Sequence, residues 1–201
     1  MFAGVALAVN RGAAQPVDDA VLRWFGARHT PFLDTVALQL TYLGASSVVA
    51  VTLGVSSALL GATGHRGSAV LLWVAVLGNA ALNTLLKLAF ARPRPEVFPF
   101  RIPGIGDAAV SFPSGHAMSA VVVYGTLAFV VARFQARTCL RVATLTLAAL
   151  LVLAIGASRL YLGVHYPSDV AGGFAAGFAW AAACAGALGA VRPHRTTIDK
   201  D

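Results

Sequence analysis

The chain has 201 residues, of which 58% are hydrophobic and only 11% are charged. Soluble domains carry about 25% charged residues, so this composition excludes an ordinary soluble domain and predicts an integral membrane protein. The net charge of +7 is compatible with a nucleic-acid binder, but the basic residues are scattered over loops without interleaved aromatic residues. We therefore expect anionic lipid headgroups, and no nucleic acid, as their partners.

The first apolar stretch, residues 1–9, is too short to cross a bilayer, which needs about 20 residues. It could be a trimmed signal sequence, an interfacial segment or the last turns of a first helix that starts upstream, and we favour the third. Asp18 and Asp19 then precede an amphipathic segment, 20–28, that suits a helix lying at the membrane surface. Their position predicts the cap and first turn of that helix, and disfavours a catalytic carboxylate pair.

Five longer apolar segments follow, and each is predicted to span the membrane. They are apolar on all sides, as expected for helices surrounded by lipid and by one another. Their predicted bounds are 33–62, 68–90, 115–132, 142–157 and 167–191. The predicted fold is therefore an all-α integral membrane bundle with five full spans and a short N-terminal apolar stub. Because the connections are short, we expect a single domain over 1–201, with its core at 33–191.

The alternation of the spans predicts which loops share a side of the membrane. The turn at Arg66, the basic turn at 133–141 and the polar tail lie together, and the positive-inside rule makes that side cytoplasmic. The other side also carries many basic residues. The assignment therefore depends on three of them, Lys87, Arg94 and Arg159, belonging to a site rather than to ordinary loops.

Charged residues gather between the fourth and fifth predicted spans. A charged side chain costs about 2.5–3.5 kcal/mol at the centre of a membrane helix, so such residues indicate function. Tyr166 precedes Pro167, which places His165 in a turn, and Pro167 suits the first position of the next helix. Asp169 then lies in the first turn. His165 could be a base or nucleophile oriented by Asp169, or the pair could be a structural histidine at a helix start.

Two further junctions on the same side favour the catalytic interpretation. Lys87 and Arg94 lie at the end of the second span, and Ser114 opens the third. Ser114 is a natural N-cap, so the amides of Gly115 and His116 point out of the helix start, where an anion is favoured. Snorkelling to lipid headgroups would explain Lys87 if it stood by itself, but it does not explain histidines and a carboxylate on the same face. The junctions together predict a site for a tetrahedral anion.

These residues form a three-part pattern: Lys87-x6-Arg94-Pro95, Pro113-Ser114-Gly115-His116 and Ser158-Arg159-x5-His165-x3-Asp169. The pattern resembles the signature of the type 2 phosphatidic-acid phosphatase superfamily, which includes membrane lipid phosphatases and soluble vanadium haloperoxidases. Every signature position is present in the right order and at the right spacing. The resemblance covers about 33–191 and implies an all-helical bundle, usually of six spans, so the chain departs from it at its shortened start.

The resemblance implies a role for each signature residue. His165 would attack phosphorus and form a phosphohistidine, while Asp169 holds its imidazole in the productive tautomer. His116 would protonate the leaving oxygen and later activate water. The implied ligands of the phosphoryl oxygens are Lys87, Arg94, Ser114, the Gly115 amide and Arg159. No metal or other cofactor is implied, because three cations can neutralise the phosphate charge.

A site at the mouth of a membrane bundle, flanked by Phe98, Phe100 and Ile102, suits a lipid whose tail stays in the bilayer. We expect a lipid phosphate or pyrophosphate phosphatase acting on undecaprenyl pyrophosphate or, next, on phosphatidylglycerol phosphate. A phosphotransferase using the same intermediate and a non-hydrolytic transporter stay open, although no inverted repeat is visible. The expected location is a bacterial cytoplasmic membrane, with the site on its extracytoplasmic side.

Overall fold

The computed structural model describes residues 1–97 and 110–190, and most of them are helical. These two ranges contain no β-strand, only an isolated bridge between Pro93 and Val110. The helical elements in chain order are α1 (Phe2–Asn10), α2 (Gln15–Gly26), α3 (Pro31–Leu43), α4 (Ser46–Ala62), α5 (Arg66–Phe90), α6 (Gly115–Ala120), a π-helical turn (Val121–Gly125), α7 (Thr126–Phe134), α8 (Thr138–Tyr161) and α9 (Pro167–Ala190).

Four helical stretches in the described ranges are long and apolar enough to cross a membrane, and α3 with α4 makes a fifth when the two are taken together. Large apolar side chains on their outer surfaces are exposed, Leu88 by 74% and Phe178 by 68%. A bilayer can cover such side chains, so they need no protein partner. These findings confirm the predicted all-α membrane bundle. The four stretches are Arg66–Phe90, Gly115–Phe134, Thr138–Tyr161 and Pro167–Ala187.

The first predicted span, 33–62, is not one straight helix, and this corrects the prediction. Helices α3 and α4 meet at an angle of 50°. Gly44 and Ala45 separate them, and Ala45 has an extended backbone with φ −72° and ψ 147°. This conformation interrupts the helical hydrogen bonds. The Leu43 carbonyl accepts a hydrogen bond from the Tyr124 hydroxyl at 2.6 Å. A side chain from another span thus supports the bend.

The third span contains a local change of helix type. Helix α6 continues into the π-helical turn and then into α7 without a break. Such turns occur in α-helices frequently at functional sites. Here the turn carries Tyr124, whose hydroxyl contacts the bend between α3 and α4. The third and first spans are therefore joined where each departs from regular α-helix.

Helix α9 approaches the start of the third span very closely. A Cβ atom at Gly173 would lie 2.6 Å from the Ser114 carbonyl oxygen, and one at Gly177 would lie 2.8 Å from that of Met118. Only glycine allows this separation, so these small residues of α9 serve helix packing. The Ser114 amide also donates to the Asp169 carbonyl at 3.0 Å. These contacts fix the beginnings of the third and fifth spans side by side.

The N-terminal region packs on the same end of the bundle. Helix α1 lies along α9, and the Phe2 ring is 6.0 Å from that of Phe112. Helix α2 begins at Gln15, earlier than predicted, with Ala14 at its N-cap position. Asp18 lies in the first turn and not at the N-cap, so its expected capping role is wrong. Its side chain is 2% exposed and turns toward the start of α9.

Candidate active site

The structure brings the predicted site residues together at one end of the bundle. They come from the last turns of α5 and α8, the segment after α5, the beginnings of α6 and α9, and the loop between α8 and α9. The loop between α8 and α9 contains Gly163, whose φ of +65° lets the chain reverse after α8 at little steric cost. The residues are Lys87, Arg94, Ser114, Gly115, His116, Arg159, His165 and Asp169.

His165 is at the centre of this cluster and is 1% exposed. Its Nε2 atom lies 3.5 Å from Nη1 of Arg94, and its Nδ1 atom lies 3.4 Å from Oδ2 of Asp169. The second distance exceeds the roughly 2.7–3.2 Å of an ordinary N–H···O hydrogen bond. The predicted turn is confirmed, because His165 lies between α8 and α9 and α9 begins at Pro167. The two ring nitrogens thus face groups of opposite charge.

Asp169 is held at both of its carboxylate oxygens. Oδ2, which faces His165, accepts a hydrogen bond from the Tyr166 amide at 2.8 Å. Oδ1 accepts one from Nη1 of Arg92 at 2.8 Å. The side chain is 0% exposed, so both contacts form away from water, where they are strongest. The carboxylate therefore has a fixed orientation toward the imidazole.

Three cations lie near enough to His165 to act on it electrostatically: Lys87, Arg94 and Arg159. Arg94 Nη1 donates to the Val164 carbonyl at 2.7 Å, and Lys87 Nζ donates to the Val110 carbonyl at 3.3 Å. Arg159 is 3% exposed and donates through Nη1 to the Thr41 hydroxyl. The acceptors in these hydrogen bonds are backbone carbonyls and a hydroxyl, which carry no net charge. The three side chains concentrate positive charge around His165.

The position of His165 controls its protonation. Burial lowers the pKa of His165 well below its ordinary value of 6.5, and the nearby Arg159, Arg94 and Lys87 lower it further. A hydrogen bond with the Ser111 backbone acts in the opposite direction and is the weakest of these influences. The imidazole is thus neutral at neutral pH. A neutral imidazole with its Nδ1 proton toward Asp169 leaves a lone pair on Nε2.

Three buried polar atoms in the cluster find no hydrogen-bond partner among the described residues: the Ser114 hydroxyl, Nε of Arg159 and Nδ1 of His165. Nδ1 of His165 faces Asp169 at 3.4 Å. Buried polar groups in folded proteins are nearly always paired, so the other two atoms indicate groups that a ligand would satisfy. Ser114 occupies the N-cap position of α6 as predicted, but its hydroxyl does not cap that helix. The hydroxyl is thus not used for local structure.

His116 lies in the first turn of α6, against the bend between α3 and α4. A Cβ atom at Gly44 would lie 3.0 Å from Cδ2 of His116 and 3.0 Å from Cγ2 of Ile155. The backbone of Gly44, which carries no side chain, therefore lies against the imidazole of His116. The same region contributes the Thr41 hydroxyl that contacts Arg159. The end of α3 thus supports two of the predicted site residues.

Sequence reasoning missed two charged residues of this region, Arg92 and Asp18. Arg92 is absent from the predicted site residues, but it contacts Asp169 directly. Asp18 contacts Arg92 and the start of α9. One signal could have indicated Asp18: it stands four residues before Leu22, which is 0% exposed, so both lie on the buried face of α2. The predicted flanking residues Phe98, Phe100 and Ile102 lie outside the described residues.

Fold and site together define a helical membrane protein with a buried histidine lined by cations and oriented by a carboxylate. The family model of the PAP2 superfamily matches residues 68–192. The chain belongs to this superfamily. Among individual proteins, it is 30% identical over 177 residues to phosphatidylglycerophosphatase B of Bacillus subtilis (strain 168), a match that covers 88% of this chain and 85% of that protein.

Other relatives and solved structures agree with this assignment. The lipid A 1-phosphatase of Rhizobium etli is 36% identical over 113 residues, which cover 53% of this chain and 44% of that protein. A crystal structure of the transmembrane PAP2-type phosphatidylglycerolphosphate phosphatase from Bacillus subtilis has a TM-score of 0.86 and 28% identity, covering 96% of this chain and 95% of that one. The structure of Aquifex aeolicus LpxE, with a TM-score of 0.65 and 23% identity, covers 85% of this chain and 95% of that one and shows the shared fold.

Proposed function

We propose that this chain is an integral membrane lipid phosphatase whose substrate is phosphatidylglycerol phosphate. The observation that carries the proposal is the buried His165, with Nδ1 facing Asp169 and Nε2 facing a cation at 3.5 Å. The similarity to phosphatidylglycerophosphatase B extends over 88% of the chain, which favours this substrate over undecaprenyl pyrophosphate. A phosphomonoester on a lipid headgroup also matches the charge of the cluster.

The reaction proceeds in two steps. In the first, Nε2 of His165 attacks phosphorus, the bond from phosphorus to the lipid oxygen breaks, and His116 gives that oxygen a proton. Phosphatidylglycerol leaves, and a phosphohistidine remains. In the second, His116 removes a proton from water, the water oxygen attacks phosphorus, and the bond to Nε2 breaks. Inorganic phosphate leaves and both histidines return to their starting states.

The cations perform the electrostatic part of this reaction. Phosphoryl transfer depends mainly on positioning and on neutralising the charge spread over the phosphoryl oxygens. Groups already fixed by the fold stabilise that charge without reorganising at the moment of reaction. The proposed ligands of the oxygens are Lys87, Arg94, Arg159, the Ser114 hydroxyl and the Gly115 amide. On this basis the reaction needs no metal ion.

Phosphate release from a panel of lipids tests the proposed function. Purified protein is assayed with phosphatidylglycerol phosphate, phosphatidic acid and undecaprenyl pyrophosphate, in the presence of a chelator. We expect release with chelator present and the highest kcat/KM for phosphatidylglycerol phosphate. A requirement for added metal would contradict the mechanism, and a preference for another lipid would contradict the substrate. Headgroup transfer to an added lipid or sugar acceptor, in place of release, would identify a phosphotransferase.

The pH dependence of kcat/KM should be bell-shaped. The acid limb reports protonation of His165, which blocks attack, and the alkaline limb reports loss of the proton that His116 must donate. Because burial and three cations lower the pKa of His165, its protonation begins only at acid pH. We therefore expect the acid limb well below pH 6.5, the ordinary histidine value. A profile that falls on the acid side at or above that pH would contradict the role of His165.

Substitution of Gly44 by alanine should slow the reaction through His116. Gly44 has φ −92° and ψ −1°, which alanine adopts freely, so the effect comes from the new Cβ, 3.0 Å from the imidazole. A displacement of 1 Å in a catalytic group can cost about 100-fold in rate, so we expect kcat to fall by about 10-fold. Gly54→Ala is the matched control, because a Cβ there meets nothing within 4 Å in the part of the chain that the structure describes. Equal kcat in both variants would contradict the contact.

We place the active site on the extracytoplasmic side of the cytoplasmic membrane. The basic residues Arg66, Arg137 and Arg141 lie at the opposite end of the bundle from His165, and the positive-inside rule makes that end cytoplasmic. Cys139 is exposed at this end and gives a test. A membrane-impermeant maleimide should label Cys139 only after cells are permeabilised. Labelling in intact cells would reverse the orientation.

A further inference from the structure

Arg92 connects the N-terminal helix α2 to the active site. Its Nη1 atom donates to the Ser168 hydroxyl at 2.7 Å and to Oδ1 of Asp169 at 2.8 Å. Its Nη2 atom donates to Oε1 of Gln15 at 2.9 Å and to Oδ2 of Asp18 at 2.8 Å. The guanidinium carbon also lies 4.0 Å from the centre of the Tyr166 ring. Its planar fork is thus fully engaged, half on α2 and half on the start of α9.

Asp18 holds the same junction from the other side. Its Oδ1 accepts from the Ser168 amide at 2.9 Å, and its Oδ2 accepts from the Ser168 hydroxyl at 2.5 Å. The Ser168 amide lies in the first turn of α9, where helix amides need external acceptors and a negative charge is favoured. Asp18 therefore caps α9 from a helix 150 positions earlier in the chain.

The contacts form a line of alternating charges that ends at the nucleophile. Asp18 contacts Arg92, Arg92 contacts Asp169, and Asp169 contacts His165. The side chains of Arg92 and Asp18 are 10% and 2% exposed, and that of Asp169 is 0% exposed. Water does not screen these pairs effectively, so a change in one charge acts on the next.

Arg92 differs from the site cations in where its charge acts. Arg94 lies at the Nε2 atom of His165, where the phosphoryl group would be attacked. Arg92 contacts Oδ1 of Asp169, the carboxylate oxygen that does not face His165. A carboxylate with one anchored oxygen can rotate, whereas Asp169 has Tyr166 on one oxygen and Arg92 on the other.

We propose that Arg92 and Asp18 are positioning residues of the phosphatase reaction: Arg92 fixes the Asp169 carboxylate toward His165, and Asp18 fixes Arg92. Helix α2 thereby completes the active site, although it contributes no group that touches the phosphoryl. The inference rests on the proposed function, since it assigns residues that orient the proposed nucleophile.

The two residues should affect the protonation of His165 in opposite directions. Arg92→Gln removes the cation that partly neutralises Asp169. Asp169 then stabilises the imidazolium form of His165 more strongly, and the acid limb of kcat/KM moves to higher pH. Asp18→Asn removes the anion that partly neutralises Arg92. Arg92 then neutralises more of the charge of Asp169, so the imidazolium form is less stabilised and the acid limb moves to lower pH. The charged and titratable groups that act on His165 and stay unchanged in both variants are Lys87, Arg94, His116, Arg159 and Asp169.

Steady-state kinetics of the purified full chain with phosphatidylglycerol phosphate test the proposal. Misorientation of the nucleophile affects the chemical step, so we expect kcat to fall by about 100-fold in each variant, with KM changed little. Arg23→Gln is the matched control. It removes one charge from the exposed side of α2, outside the Arg92 contacts, and should retain the wild-type kcat and acid limb.

A buried charge left without its partner can unfold a protein, so the double variant Asp18→Asn/Arg92→Gln is included. It removes both charges together and should fold, which thermal unfolding measures, while its kcat stays about 100-fold low. A wild-type kcat in the double variant, or acid limbs that move in the same direction in the single variants, would overturn the proposal. An inactive wild type, or a His165→Ala variant as active as wild type, would instead overturn the proposed function.

Discussion

Replacement of His165 by alanine should abolish phosphate release from phosphatidylglycerol phosphate. Removing a catalytic nucleophile typically costs about 10⁴-fold or more in kcat, because the remaining groups can only bind and polarise the substrate. His165 is buried between Arg94 and Asp169, and the described residues place no second imidazole between that cation and that carboxylate. We therefore expect loss of turnover with substrate binding retained, measured by release assays and by equilibrium binding of the lipid.

His65→Ala is the control for this experiment. His65 is exposed at the N-cap of α5, the end of that helix remote from Lys87 and the site, so its removal should leave kcat unchanged. Comparable rates in His165→Ala and the wild type would contradict nucleophilic catalysis by His165. A loss in both variants would indicate that truncating a histidine damages the fold.

Replacement of Arg159 by alanine should produce the second largest loss. Arg159 is 3% exposed, and its Nε atom has no hydrogen-bond partner in the described ranges, so the guanidinium retains capacity for a phosphoryl oxygen. An arginine that stabilises the transition state of phosphoryl transfer contributes about 10³- to 10⁵-fold in kcat. We expect a loss of at least about 10³-fold, measured as kcat with saturating substrate.

One further variant tests whether the charge of Arg159 suffices without its shape, and a second serves as a control at another arginine. Arg159→Lys keeps the cation but loses the planar fork, so it should recover only part of the activity. Arg137→Ala removes an exposed arginine at the other end of the same helix and should leave kcat unchanged. Equal activity of Arg159→Ala and Arg137→Ala would show that Arg159 contributes nothing specific to the reaction.

The sequence predicted the bundle and the location of the site because both depend on local features. Long apolar runs identify membrane helices directly, and the break between α8 and α9 follows from the proline at position 167. Charges that are costly in a membrane stand out against that background, which is why Arg159, His165 and Asp169 are found from sequence. The structure places these residues at one end of the bundle, and their catalytic roles remain a proposal.

The supporting contacts were not predictable in the same way. Arg92 and Asp18 are 74 positions apart, and no local pattern in the sequence pairs them. The bend at Gly44 lies within a predicted span that contains no proline, and its support comes from Tyr124 in another span. Such features depend on which helices become neighbours. They are visible only once the bundle is assembled.

The distinction between Asp18 and Asp19 illustrates this limit. Both are acidic residues at the start of one helix, and local reasoning treats them alike. In the structure, Asp18 contacts Arg92 and Ser168, while Asp19 accepts a hydrogen bond from Gln15 on its own helix at 2.8 Å. Only the rotation of α2 about its axis, set by packing of its apolar face, gives the two neighbours different contacts.

Detection of a phosphorylated His165 tests the central claim most directly. Wild-type protein is mixed with phosphatidylglycerol phosphate labelled in its terminal phosphate, quenched within one turnover at alkaline pH, where a phosphoramidate bond survives, and analysed by mass spectrometry. In the wild type we expect the label on His165. In His116→Ala, assayed with an activated phosphate ester as substrate, the second step is slowed and the labelled species should be longer-lived. Turnover by the wild type with the label on another residue, or with no labelled protein at any time, would contradict the phosphohistidine mechanism.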